Sequence, residues 1–88
     1  MRVEFKKSFL KDLKKLKDKQ LKELIFDCIV QVEAVQHLGQ IRNLKKLTGY
    51  DDYFRIRIGD YRIGLKIENE IVYFVVFEHR KDIYKEFP

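Results

Sequence analysis

The stretch from Tyr53 to Tyr84, YFRIRIGDYRIGLKIENEIVYFVVFEHRKDIY, leaves few ways for the rest of the chain to fold. From Phe54 to Ile58 apolar and basic residues alternate. An extended backbone therefore puts Phe54, Ile56 and Ile58 on one face and Arg55 and Arg57 on the other. Gly59-Asp60 is a tight-turn pair, and beyond it Tyr61, Ile63, Leu65 and Ile67 oppose Arg62, Gly64 and Lys66. This spacing predicts a hairpin with one apolar face and one face carrying Arg55, Arg57, Arg62 and Lys66. Antiparallel sheets can leave one face in water, so the cationic face is expected to be open. Glu68-Asn69-Glu70 reads as a second turn. Ile71 to Phe77 is apolar on both faces, the pattern of an inner strand.

The apolar face needs a cover, and the first half of the chain supplies helical periodicity. Met1 to Lys6 alternates Val3 and Phe5 with Arg2 and Glu4, which predicts a first strand, placed beside Ile71–Phe77. Ser8 is then the expected helix N-cap, followed by Leu10, Leu13 and Leu16 with lysines between them. Lys17 to Lys19 breaks that helix. A second apolar stripe runs through Leu21, Leu24, Ile25, Cys28, Ile29, Val32 and Val35. Phe26, Val30 and Ala34 widen it, so the second helix is expected to be the more buried. Gly39 reads as its stop, with His37 near the negative end of the helix dipole. Ile41 to Tyr50 has no sustained period and reads as a connecting loop anchored by Leu44 and Leu47. The predicted fold is α+β, one domain over 1–88. A two-helix antiparallel hairpin packs on one face of a mainly antiparallel sheet of about four strands.

With 88 residues and a net charge of +5, the chain favours a polyanionic or acidic partner. A single cysteine, Cys28, excludes an intramolecular disulfide and reads as a small core residue. No apolar run is long enough to span a bilayer, so a soluble, cytoplasmic protein with no membrane partner is expected. There is no glycine-rich phosphate loop, and Ser8, the only serine, is a poor nucleophile if it caps a helix. His37 and His79 lack cysteine or carboxylate companions at ligand spacing, so neither a metal nor a cofactor is expected.

What remains for chemistry is arginine, lysine, tyrosine and histidine. The arginine face reads equally as a solubilised sheet surface and as a cradle for phosphates, where guanidinium groups offer bidentate donors. The tail from Glu78 to Tyr84 adds His79, whose side-chain type titrates near neutrality, and Tyr84, whose phenol could exchange a proton beside cations. A surface imidazole and a ring packed on the sheet are the plainer readings of the same two residues.

Three runs together resemble the RelE/ParE superfamily of toxins from toxin–antitoxin modules. They are Leu44-Lys45-Lys46-Leu47-Thr48-Gly49, the run from Arg55 to Ile63, and His79-Arg80-Lys81-Asp82-Ile83-Tyr84. The resemblance covers nearly the whole chain. For the RelE branch it implies a metal-independent, ribosome-dependent mRNA endoribonuclease. In that reaction a ribose 2′-hydroxyl attacks the adjacent phosphate and leaves a 2′,3′-cyclic phosphate. For the ParE branch it implies inhibition of DNA gyrase without nuclease activity; a non-toxic binding module is a third alternative. An acidic cognate antitoxin is the implied partner. In the RelE reading Arg62 stabilises phosphate charge and His79 or Tyr84 transfers protons. Arg55 and Arg57 stand where well-studied RelE proteins carry lysines, and arginine holds its proton, so both are expected to bind phosphate rather than act as bases. Lys45, Lys46, Arg80 and Lys81 extend the expected RNA-binding set.

Overall fold

Alternation becomes pairing in the computed structural model, which describes residues 1–88. In chain order the elements are β1 (Arg2–Phe5), α1 (Lys7–Lys15), α2 (Lys19–Ala34), β2 (Leu44–Lys46), β3 (Tyr53–Ile58), β4 (Tyr61–Glu68) and β5 (Ile71–His79). Short 3₁₀ turns occupy Leu38–Gln40 and Ile83–Lys85. The strands form one five-stranded sheet in the order β1-β5-β4-β3-β2. All pairings are antiparallel except β1 with β5, where Arg2 stands opposite Ile71 and Phe5 opposite Phe74. The α+β architecture and the place of the first strand are as expected. The fifth strand is an addition: within the expected 41–50 loop, Leu44–Lys46 pairs with Phe54–Ile56. Three residues are too few to display a period, so only the partner strand defines β2.

Both hairpin turns use the left-handed backbone their strands' twist demands. Gly59 takes φ +56, and Asn69 and Glu70 take φ 51 and 64. Phe9 of α1 and Ile25 and Val32 of α2 pack with Ile56, Ile63, Leu65, Val72, Phe74 and Phe77 of the sheet. Phe5, Phe9 and Phe74 form a ring cluster where β1 enters α1. The inward face of α2 is narrower than its composition suggests. Leu24, Phe26 and Val30 are exposed, and Cys28 and Ile29 are half-buried. A 3.6-residue period aims only about a third of the helix at a flat sheet, so the residues widening the stripe face water. Phe9 of α1 is buried as fully as Val32 of α2, both at 0% exposure, while its neighbour Leu10 is exposed.

Ser8 does not cap α1. The helix begins at Lys7 after an uncapped Lys6, and the Ser8 hydroxyl donates to the Val75 carbonyl. One turn on, Asp12 accepts from the Phe77 amide at 2.9 Å. β1 ends at Phe5, and α1 then runs along the rest of the β5 edge with these two side chains finishing the hydrogen bonding. The side chain that does cap a helix is Asp18, which accepts from the Leu21 amide at 3.1 Å at the start of α2. At its other end α2 stops at Ala34, five residues before Gly39, which lies inside the following 3₁₀ turn. There the Gln40 side chain accepts from the Gln36 and His37 amides at 2.9 and 3.1 Å. The Met1 ammonium donates to the carbonyls of Val32, Glu33 and Val35. These are groups a helix C-terminus leaves open. No helix is long and apolar enough to cross a membrane.

Candidate functional site

On the sheet face away from the helices, strand register gathers cations. Arg57 stands directly opposite Arg62, Arg55 opposite Gly64, and Lys45 of β2 opposite Arg55. Arg55, Arg57 and Arg62 form no ion pair. Their fixed partners are neutral. Arg62 donates through Nη1 to the Gly59 and Tyr61 carbonyls, both at 2.9 Å, and Arg55 donates to the Asn43 carbonyl at 3.2 Å. The Arg62 guanidinium is held below its ordinary value by desolvation first, then by Arg55 and Arg57, with Arg80 adding and Tyr84 opposing. It stays charged at any physiological pH, because arginine starts so high. Like charges kept this close cost stability until an anion arrives between them.

Acids remove two lysines from the set of free cations. Lys46 lies on the alternate face from Lys45, opposite Phe54, and pairs with Asp51 at 3.6 Å. Lys66 pairs with Asp52 and Glu68 at 3.9 and 3.8 Å. The Arg80 amide donates to the Asp60 carbonyl at 2.8 Å, and its Nε lies 4.0 Å from the Asp60 carboxylate. The tail is thereby pinned to the β3–β4 turn. Lys81 is exposed, and its amide donates to Nδ1 of His79 at 3.1 Å.

The structure separates His79 from the residues expected to work with it. Strand β5 runs on through His79, so alternation carries past Phe77 and pairs His79 with Tyr61. Its ring meets the Tyr61 ring edge-on at 5.3 Å, and Tyr61 in turn stacks on Phe77 at 5.1 Å. That is the helix-covered face, one register step from Arg62, which stands opposite Glu78.

Tyr84 falls on the other side, with the arginines. The tail after β5 folds across the cationic face. Ile83 and Phe87 are buried at 0% and 4% exposure, whereas Tyr84 between them is 54% exposed. Phe87 packs edge-on to Tyr53 at 5.5 Å and rests over Gly64. The face expected to be wholly open is therefore roofed at its middle. Beside that roof lies a groove of about 420 Å³, lined by Lys45, Thr48, Tyr50, Arg55, Tyr84 and Phe87 among others. Tyr50 and Phe87 were not among the expected site residues. The signals for Phe87 were its four-residue spacing from Ile83 and a glycine set inside a strand opposite an arginine. Chemically, the site offers fixed cations for a phosphate and two exposed phenols, Tyr50 and Tyr84.

Comparison with known proteins adds three findings. The family model described as "ParE toxin of type II toxin-antitoxin system, parDE" matches residues 3–84. Toxin RelE3 of Methanocaldococcus jannaschii is 38% identical over 92 residues, covering 100% of both chains. Among solved structures, the RelB–RelE antitoxin–toxin complex from Methanococcus jannaschii contains a similar chain at 36% identity and TM-score 0.80. That likeness covers 96% of this chain and 98% of that one. The archaeal RelE–RelB complex from Pyrococcus horikoshii OT3 matches at 26% identity and TM-score 0.61, covering 92% and 96%.

Proposed function

The chain belongs to the RelE/ParE superfamily of toxins from type II toxin–antitoxin systems, and from that premise we propose that it is a RelE-like, ribosome-dependent mRNA endoribonuclease of the cytoplasm. The observation that carries the reading is the meeting of three unpaired arginines with an exposed tyrosine on one sheet face. In the proposed reaction the ribose 2′-oxygen attacks the neighbouring phosphorus, and the bond from phosphorus to the 5′-oxygen breaks. The 2′-hydroxyl gives up a proton and the departing 5′-oxygen gains one, leaving a 2′,3′-cyclic phosphate and a 5′-hydroxyl. Negative charge grows on the non-bridging oxygens in the transition state, and Arg62 is assigned to meet it. Tyr84 exchanges a proton at its phenol oxygen. His79, on the opposite face, is the weaker candidate for that step. Arg55, Arg57, Lys45 and Arg80 hold flanking phosphates, and Lys81 contributes from the margin; Lys46, turned to the other face and paired with Asp51, is the weaker candidate. The RelE relatives solved with antitoxins support a cognate antitoxin as the physiological partner, and the unpaired arginines call for acidic residues on the segment that covers them.

Single-turnover cleavage of mRNA on a stalled ribosome tests this, with ribosome affinity measured separately. Arg62→Ala is expected to lower the rate about 10²–10³-fold, the usual loss for one electrostatic donor. Full activity in the folded variant would sink the assignment. The ParE description of the matching family favours a second reading, inhibition of DNA gyrase. A supercoiling assay run beside the cleavage assay separates the two: gyrase blocked with mRNA intact would replace the nuclease reading.

A further inference from the structure

At the centre of the cationic face lies an apolar lock. Gly64 sits between Arg62 and Lys66 on β4 and opposite Arg55 on β3. Its φ is not positive, so its lack of a side chain serves space rather than backbone freedom. A Cβ placed there would meet Cγ2 of Val76 at 2.7 Å and the Phe87 ring at 2.8 and 2.9 Å. A glycine in a strand interior weakens the strand, and here the notch it leaves is filled by one aromatic ring. The tail is thus held at two points, Ile83 and Phe87, joined by a hydrogen bond from the Phe87 amide to the Ile83 carbonyl at 3.1 Å. Tyr84 projects from the loop that this bond closes. It shares a groove with Arg55 and adjusts the charge environment of Arg62.

We propose that Phe87 is the positioning residue for Tyr84: its ring, seated on Gly64, holds the tail so that the phenol stays beside Arg55 and Arg62. An exposed tyrosine on a short tail would otherwise sample many orientations, and misplacement of a reacting group by about 1 Å costs on the order of a hundredfold in rate. Phe87 touches no reacting atom and acts through Tyr84 alone. The kinetic consequence rests on the RNA-cleavage reading above; the structural consequence does not.

The test combines single-turnover cleavage on stalled ribosomes, ribosome affinity, and NMR of ring-labelled tyrosine in the free protein. Phe87→Ala should lower the cleavage rate about as far as Tyr84→Phe does, with affinity changed by less than about threefold. Adding Tyr84→Phe to Phe87→Ala should lower it no further, because both remove the same placed phenol. Phe87→Leu, which refills the notch, should recover most of the rate. Gly64→Ala, which expels the ring, should reproduce the Phe87→Ala loss. In the NMR arm the Tyr84 ring signal should move to its random-coil position in Phe87→Ala and Gly64→Ala while core signals stay in place. Additive losses in the double variant, or a wild-type rate in Phe87→Ala, would overturn the proposal. If the wild type cleaves no RNA, the nuclease reading fails and the NMR arm decides alone. An unmoved, still-restricted Tyr84 ring in Phe87→Ala then refutes the positioning role.

Discussion

Asp12 offers a clean measure of how the sheet is finished. Its carboxylate accepts from the Phe77 amide at 2.9 Å, at a part of β5 that β1 no longer reaches. Phe77 itself is 5% exposed, so without Asp12 its amide sits largely away from water. A hydrogen bond from a backbone amide to a charged group contributes about 1.5–3 kcal/mol, and the half-buried Asp12 belongs near the lower end. Asp12→Ala is therefore expected to cost about 2 kcal/mol, or about 8–16 °C in Tm for a chain of this size. Asp12→Asn keeps an acceptor without the charge and should lose about half as much. Urea unfolding followed by circular dichroism gives the stability, and amide hydrogen exchange reports on Phe77 directly. Phe77 should lose protection in Asp12→Ala and keep part of it in Asp12→Asn. Unchanged stability and unchanged Phe77 protection in Asp12→Ala would refute the view that α1 completes the sheet edge through side chains.

Three further outcomes are expected. The Arg55→Gln, Arg57→Gln double variant should reduce the salt dependence of ribosome or RNA binding by about 0.7–0.9 per lost phosphate contact on a log–log plot. An unaltered slope would leave those arginines as a solubilising face. Burial holds the Glu78 carboxyl above its ordinary value, aided by Asp12, Glu86 and Asp82 and opposed by Lys15. The folded chain therefore binds this proton more tightly than the unfolded chain, and this group's contribution to stability falls as pH rises above 4.5. Glu78→Gln should stabilise at pH 7 and give no benefit below that value, as read from urea midpoints across pH. Burial pushes the Cys28 thiol up to about 11 from 9.0. At pH 8 iodoacetamide should therefore label it about a hundredfold more slowly than in urea, and equal rates would contradict its burial.

The β3–β4 hairpin and the place of β1 were legible because strict alternation has only one structural meaning and a buried strand needs neighbours on both sides. The helices were less so. Leu24, Phe26 and Val30 sit at helical spacing with Ile25 and Ile29, yet a flat sheet receives only part of that arc. Ser8 reads as a cap and Asp12 carries no signal of its own, because nothing local announces a strand edge brought there by residues 75–77. In the site, the arginines followed from period two alone. His79 read as part of the tail, but β5 extends two residues past Phe77, and that two-residue step sets it on the same face as Phe77. Tyr84 was placed by resemblance. Its anchor Phe87 lies beyond the matched motif and shows its purpose only against Gly64.

The pairing of β1 with β5 also fixes an order of events during synthesis. Residues 2–5 must wait for residues 71–74 before they have a neighbour, and Phe9, Ile25 and Val32 must wait for Val72 and Phe74. Both helices emerge first, with their apolar sides uncovered, and contacts this distant along a chain are slow to close. During that interval the nascent chain is exposed to association with anything offering an apolar surface. The strands bearing Arg55, Arg57 and Arg62 follow, and the tail carrying Tyr84 comes after them. The cationic face is completed only once residues 83–87 have joined it.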